Sequence, residues 1–230
     1  MTTWIKVARY HLVDRYTYTA LPWVVLAINF ALPLIVTAGA GAGRPAQPGS
    51  GAVAAIYIFF LVLGALSIVR SLPFALALGV SRRSYYTGTA LLAVALAAVD
   101  GLALALLQAA ERATGGWGVG LHFFREPFIL AGPWHLTWLT SFVGLGLMFA
   151  WGMWFGIVYR RWNLIGLLAF TAAPVTALVG GGVVTTAAHA WPAVGNFFAT
   201  LSAVGLTGLL AALAVALLAG GYATTRRVTV

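Results

Sequence analysis

The sequence predicts an all-α integral membrane protein of six transmembrane helices with both termini cytoplasmic, and three observations predict it. Hydrophobic residues make up 62% of the chain and charged residues 7%, against about 25% charge in ordinary soluble domains. The apolar residues fall into six runs of about 18–25, the length that crosses ~30 Å of hydrocarbon. The 13 Lys and Arg residues stand in the joints between those runs.

Taken in order, residues 1–19 mix Lys6, Arg9 and Arg15 with Ile5, Ala8, Leu12 and Tyr16, which recur at helical spacing. That pattern predicts an amphipathic helix lying along the inner membrane surface, in contact with lipid. The run 20–38 is too long for the 7–15-residue apolar stretch of a signal peptide, and is expected to be an uncleaved first span, bent near Pro33. Gly39–Gly51 is rich in Gly, Pro and Ala and reads as an outer loop. The second span is 52–69, closed by Arg70, and the third is 87–110, interrupted by Asp100. Glu111–Trp134 is the longest outer segment and is expected to lie at the interface. Spans four, five and six are 137–158, 164–188 and 197–221, with YRRWN (159–163) between the fourth and fifth and His189–Gly195 turning the chain before the sixth. No internal repeat or second domain is legible, so 1–230 reads as a single transmembrane domain.

Charge fixes the orientation. One set of joints holds Lys6, Arg9, Arg15, Arg70, Arg82, Arg83, Arg160, Arg161, Arg226 and Arg227, and the other holds Arg44, Arg112 and Arg125. Loops on the cytoplasmic side carry the Lys/Arg excess, which puts the first set and both termini inside and makes the chain a multi-pass protein of the cell membrane. The net charge of +9 is thereby explained by topology, and a nucleic-acid partner is not expected. The chain has no cysteine, which excludes disulfides, thiolate metal sites and thiol catalysis.

Between spans two and three stands RSLPFALALGVSRRSYYTGT, Arg70–Thr89. Pro73 suits the first turn of a helix, Gly79 is placed to end it, and Ser81 can cap the next. These positions predict a separate short helix held at the inner surface, the alternative being an ordinary inner loop. The string LALGVSRRSYYTG and the layout around it resemble permease subunits of type-2 ABC exporters. The resemblance implies that this short element is a coupling helix docking on a separate soluble ATPase, with Phe74, Leu78, Gly79, Val80, Ser81, Arg82, Arg83 and Tyr85 as contact residues. It also implies a connecting helix at 1–16, a homodimer of permeases, and ATP with Mg bound on the partner rather than here. A P-loop needs GxxxxGK[ST], and the chain's only Lys, Lys6, follows Ile5. No cofactor is therefore expected in this chain, nor ATP hydrolysis by it.

Asp100 is the one acid near the middle of a span, where a charge costs ~2.5–3.5 kcal/mol on insertion scales. Gln108 and Glu111 fall within about 80° of its face. The three form a polar stripe, read either as a translocation pathway or as groups satisfied inside the bundle. The stripe also motivates a different class of function, an ATPase-independent secondary carrier or a membrane-embedded enzyme using Asp100. His122, Glu126, His135 and His189 share the outer side, but their spacing matches no ligand motif, and no metal site is expected. Gly152 and Gly156 form a GxxxG pattern that lets a helix approach closely, here expected within the subunit. Pro174 and Gly180–Gly182 could loosen the fifth span at its outer end. A hydrophobic or amphiphilic substrate suits these uncharged spans.

Overall fold

The computed structural model describes residues 16–39, 53–125 and 133–227, and these are helical almost throughout, with no strand among them. Helices α1 (Tyr16–Gly39), α2 (Ala54–Ala77), α3 (Arg82–Ala113) and α4 (Trp134–Ala187) are followed by a short α5 (Trp191–Thr200) and by α6 (Ala203–Arg227). All but α5 are long and apolar enough to cross a membrane.

The boundaries differ from expectation in ways that local chemistry explains. The interfacial helix expected at 1–19 lies outside the described residues as far as residue 15, and residues Tyr16–Ala20 form a π turn that opens α1. The second span runs on from 69 to Ala77, and the third extends from 87–110 to Arg82–Ala113. The apolar run 197–221 is divided. The hydroxyl of Ser202 accepts from Gly205 N (3.1 Å) and starts a new helix, so the last membrane-length helix begins at Ala203 rather than at 197.

At 54 residues α4 would be about 81 Å long if straight. It is not straight. Asn163 leaves helical geometry at φ 53, ψ −147, and the rings of Phe155 and Phe170 meet edge to face with centroids 5.0 Å apart. Along one straight helix those residues would be separated by about 22 Å. The helix therefore doubles back at Asn163 into a first arm (134–162) and a second arm (164–187).

The core forms where α2, α3 and the first arm of α4 meet. Ile56, Phe60, Leu63, Leu104, Leu145, Phe149 and Met153 are all buried there. A Cβ on Gly64 would collide with the Phe149 carbonyl and stand 2.9 Å from Met153 N, while one on Gly152 would meet the Leu61 carbonyl and lie 3.0 Å from Ala65 N. Gly156 faces Ala65 O and Ile68 of the same helix, so the GxxxG pair packs against α2 inside the chain. Around this core the exposed positions are apolar: Ile35 and Val36 on α1, Ile165 and Leu178 on the second arm, Leu209 and Val215 on α6. Exposing such surface to water costs about 25 cal/mol per Å², whereas lipid tails accept it.

The helix contacts make a specific stability prediction. Gly64→Ala should lower the thermal midpoint in detergent, since forced overpacking costs typically ~1–3 kcal/mol. Gly146→Ala, on the same core helices but with nothing within 4 Å of the added carbon, should leave it unchanged or raise it. Equal midpoints for the two variants would contradict the backbone contact.

Candidate functional site

The sequence-predicted residues fall into two places: a basic tip joining α2 to α3, and a polar stripe along α3. At the tip the expected short helix is present as Leu72–Ala77, with Pro73 in its first turn, but it is joined to α2 rather than separate. Residues 54–77 form one helical run with a π turn at Ser67–Ser71, and Leu72–Ala77 completes it. Pro73 has no N–H to give Val69 O, four residues back, and its ring crowds that carbonyl. The wider π turn relieves the crowding, and Val69 O faces Arg160 Nη1 at 3.5 Å instead. Ser67 O accepts both Leu72 N and the Tyr85 hydroxyl, so the turn is tied to α3.

The helix then stops within two residues. Gly79 N donates to Leu76 O and Val80 N to Ala75 O, each at 3.0 Å, with Gly79 at φ 78; this is a Schellman closure, and it needs a residue that tolerates left-handed backbone. Ser81 takes extended backbone and accepts from Ser84 N (3.2 Å), starting α3 at Arg82. Phe74 and Leu78, one turn apart, are 52% and 65% exposed. Gly79, Ser81 and Arg83 are also exposed, and Val80 and Arg82 half-buried. Arg83 is held by Tyr222 of α6, Nε donating to its hydroxyl at 2.7 Å. Tyr85 differs from the rest: it is fully buried and cannot belong to an exposed contact surface.

On the stripe, Asp100 is buried, and Trp23 Nε1 of α1 donates to its Oδ1 at 2.9 Å. Its Oδ2 is buried with no hydrogen-bond partner among the described residues. Gln108 Oε1 accepts from the Thr137 hydroxyl of α4 (3.2 Å). Glu111 is fully buried, and its Oε2 accepts from Trp117 Nε1 (3.1 Å) and from the backbone N–H of Phe123 and Phe124 (2.9 Å each). These donors belong to the loop after α3, where Trp117 sits at φ 61. Phe30 of α1 packs on Trp117 and Phe123, with centroids 5.2 Å away in both cases. Glu111 thus clamps a folded loop through Oε2, while its Oε1, like Asp100 Oδ2, is buried with no hydrogen-bond partner among the described residues.

Trp23 and Trp117 are the residues that sequence reasoning missed. An indole is a donor as well as an apolar body, and a Trp inside an apolar run was the available signal. Of the outer group, Glu126 lies outside the described residues. No cluster of three or more His, Asp or Glu able to hold a metal occurs among the described residues.

Glu111→Ala leaves three donors of the loop without their acceptor, each such loss costing ~1–3 kcal/mol. Chymotrypsin should then cut at Trp117, Phe123 or Phe124 in the folded protein, with Glu111→Gln intermediate because it retains a carbonyl acceptor. Unchanged resistance in the Ala variant would show that the loop is held by something else.

No family model, curated protein or solved structure matches the chain.

Proposed function

We propose that the chain is the membrane-spanning permease subunit of an ABC exporter, driven by a separate ATPase. In this reading the two arms of α4 each cross the membrane, giving six crossings with both termini cytoplasmic, in the cell membrane. The observation that carries it is the tip: a closed, doubly capped turn that joins two membrane-length helices and presents Phe74 and Leu78 beside Arg82 and Arg83. An apolar pair rimmed by cations suits an amphipathic groove on a soluble protein. Because α2 continues unbroken into the tip, a push there is carried along both helices without a flexible joint between. Two copies would enclose the pathway for a hydrophobic or amphiphilic substrate, and ATP with Mg would bind the partner. The contact set is Phe74, Leu78, Gly79, Val80, Ser81, Arg82 and Arg83, without Tyr85.

A second reading rests on Asp100. A buried carboxylate with one indole donor and one unpaired oxygen can accept a proton or a cation, as an ATPase-independent carrier requires. A membrane-embedded enzyme would need further catalytic groups around Asp100.

The two readings separate experimentally. In the first, the tagged chain purified from its native membrane carries a P-loop ATPase, and transport in vesicles requires ATP. Leu78→Glu combined with Arg83→Glu should then reduce both ATPase association and transport at least tenfold, while Asp100→Asn retains them. ATP-independent uptake that follows a pH gradient and is lost in Asp100→Asn would replace the first reading with the second.

A further inference from the structure

The basic end of the bundle contains a cleft that shares only Arg82 with the proposed contact set. It opens between α2, α3, the first arm of α4 and α6, and encloses about 500 Å³ with its open mouth included. Its walls are apolar, with Leu72 and Leu76 of α2 facing Ile157 of α4. Two guanidiniums line it, Arg82 from the first turn of α3 and Arg160 from the end of the first arm.

The donors and acceptors around the cleft decide what it can take. Three hydroxyls line it, and each already donates to the backbone: Tyr85 to Ser67 O, Tyr86 to Leu218 O (2.8 Å) and Thr225 to Tyr222 O (3.0 Å). Among the described residues Arg160 has a single long hydrogen bond, to Val69 O at 3.5 Å. Arg82 makes no hydrogen bond or ion pair with the described residues. The nearer of the two described acids on α3, Asp100, lies about 27 Å along the helix at 1.5 Å per residue. The uncommitted groups of the cleft are therefore cationic donors, and the positive end of the α3 dipole adds to them. A ligand has to bring acceptors and negative charge.

It also has to bring apolar surface. Leu72 and Leu76 stand in the last third of a 24-residue helix, about 36 Å long, the depth at which headgroups meet a ~30 Å hydrocarbon core. A free anion would pair with the arginines and leave the wall uncovered. A zwitterionic lipid would bring an ammonium for which the described residues of the cleft offer no carboxylate. We propose that the cleft binds an acidic phospholipid, its phosphate between Arg82 and Arg160 and an acyl chain along Leu72, Leu76 and Ile157. Basic pockets between membrane helices are suited to such headgroups, and guanidinium forks match phosphate oxygens. The bound lipid would bridge α2, α3 and α4 just below the tip. Lipid binding in this cleft requires no ATPase partner.

The test uses the purified full-length chain, delipidated in uncharged detergent, with bound lipid counted by native mass spectrometry. Phosphatidylglycerol should bind at least tenfold more tightly than phosphatidylcholine, and inorganic phosphate should fail to displace it at equal concentration. Arg82→Gln with Arg160→Gln should erase the preference, and Arg82→Lys with Arg160→Lys should keep part of it. Leu76→Trp, which fills the cleft and leaves both charges, should weaken phosphatidylglycerol at least tenfold. Arg161→Gln, whose guanidinium lies over the Trp162 ring at 4.7 Å, should change nothing. Equal binding of the two lipids, displacement by equimolar phosphate, or full preference in the Gln double variant would each overturn the assignment. The assay contains no nucleotide and no partner, so its failure leaves the transport reading standing, and the reverse.

Discussion

Backbone contact between α2 and the first arm of α4 is the constraint on which the rest of the molecule depends. Among lipid tails the hydrophobic effect does not draw one apolar helix to another, so helices hold together by close packing and by polar links. Gly64 faces the Phe149 carbonyl, Gly152 faces that of Leu61, and Gly156 faces Ala65 O. Each removes a side chain from one helix where the other presents main chain. The contact runs along α2 into its π turn, where Ile68 touches Gly156. The tip beyond that turn is therefore an extension of the best-packed helix pair, and its position is set by the core.

Polar links attach the helices that this contact does not reach. Asp100 and Trp23 bring α1 to α3. Trp154 and Tyr86 donate to the neighbouring carbonyls Leu217 O and Leu218 O, each at 2.8 Å, and so hold α6 to both α4 and α3. Those carbonyls can be approached because Gly220 and Gly221 follow. A Cβ on the first would stand 3.1 Å from Trp154 Cζ2, and one on the second would strike the Tyr86 hydroxyl. Small residues and hydrogen bonds thus work at the same points: the missing side chain admits the donor.

The helical class and most of the apolar runs were legible because composition and run length decide them. Boundaries were less so, since an N-cap such as Ser202 inside an apolar run changes hydropathy very little while ending one helix and starting another. The π turn at Ser67–Ser71 answers a clash between Pro73 and Val69 O that a hydropathy pattern does not register. At the tip, Gly79 and Ser81 follow local capping rules and were readable from sequence. Tyr85 was not, because its burial depends on where Ser67 lies across the turn. The partners of the acids were hidden for the same reason: Trp23 and Asp100 are 77 residues apart, and only the folded bundle brings them together.

Asp100 and Glu111 look equivalent on a helical wheel, yet one donor holds the first and three hold the second. Glu111 Oε2 carries three donors from one loop, and releasing any of them strands a buried N–H. That group is fixed. Asp100 carries one donor, and each acid also has a second buried oxygen with no hydrogen-bond partner among the described residues, so the two differ in the number of donors on the bonded oxygen. A path climbing the stripe inside one chain would pass Asp100 and then meet the loop that Glu111 clamps and that packs on Phe30. It could open only by breaking the clamp. The clamp therefore closes the Glu111 end of the stripe within this chain.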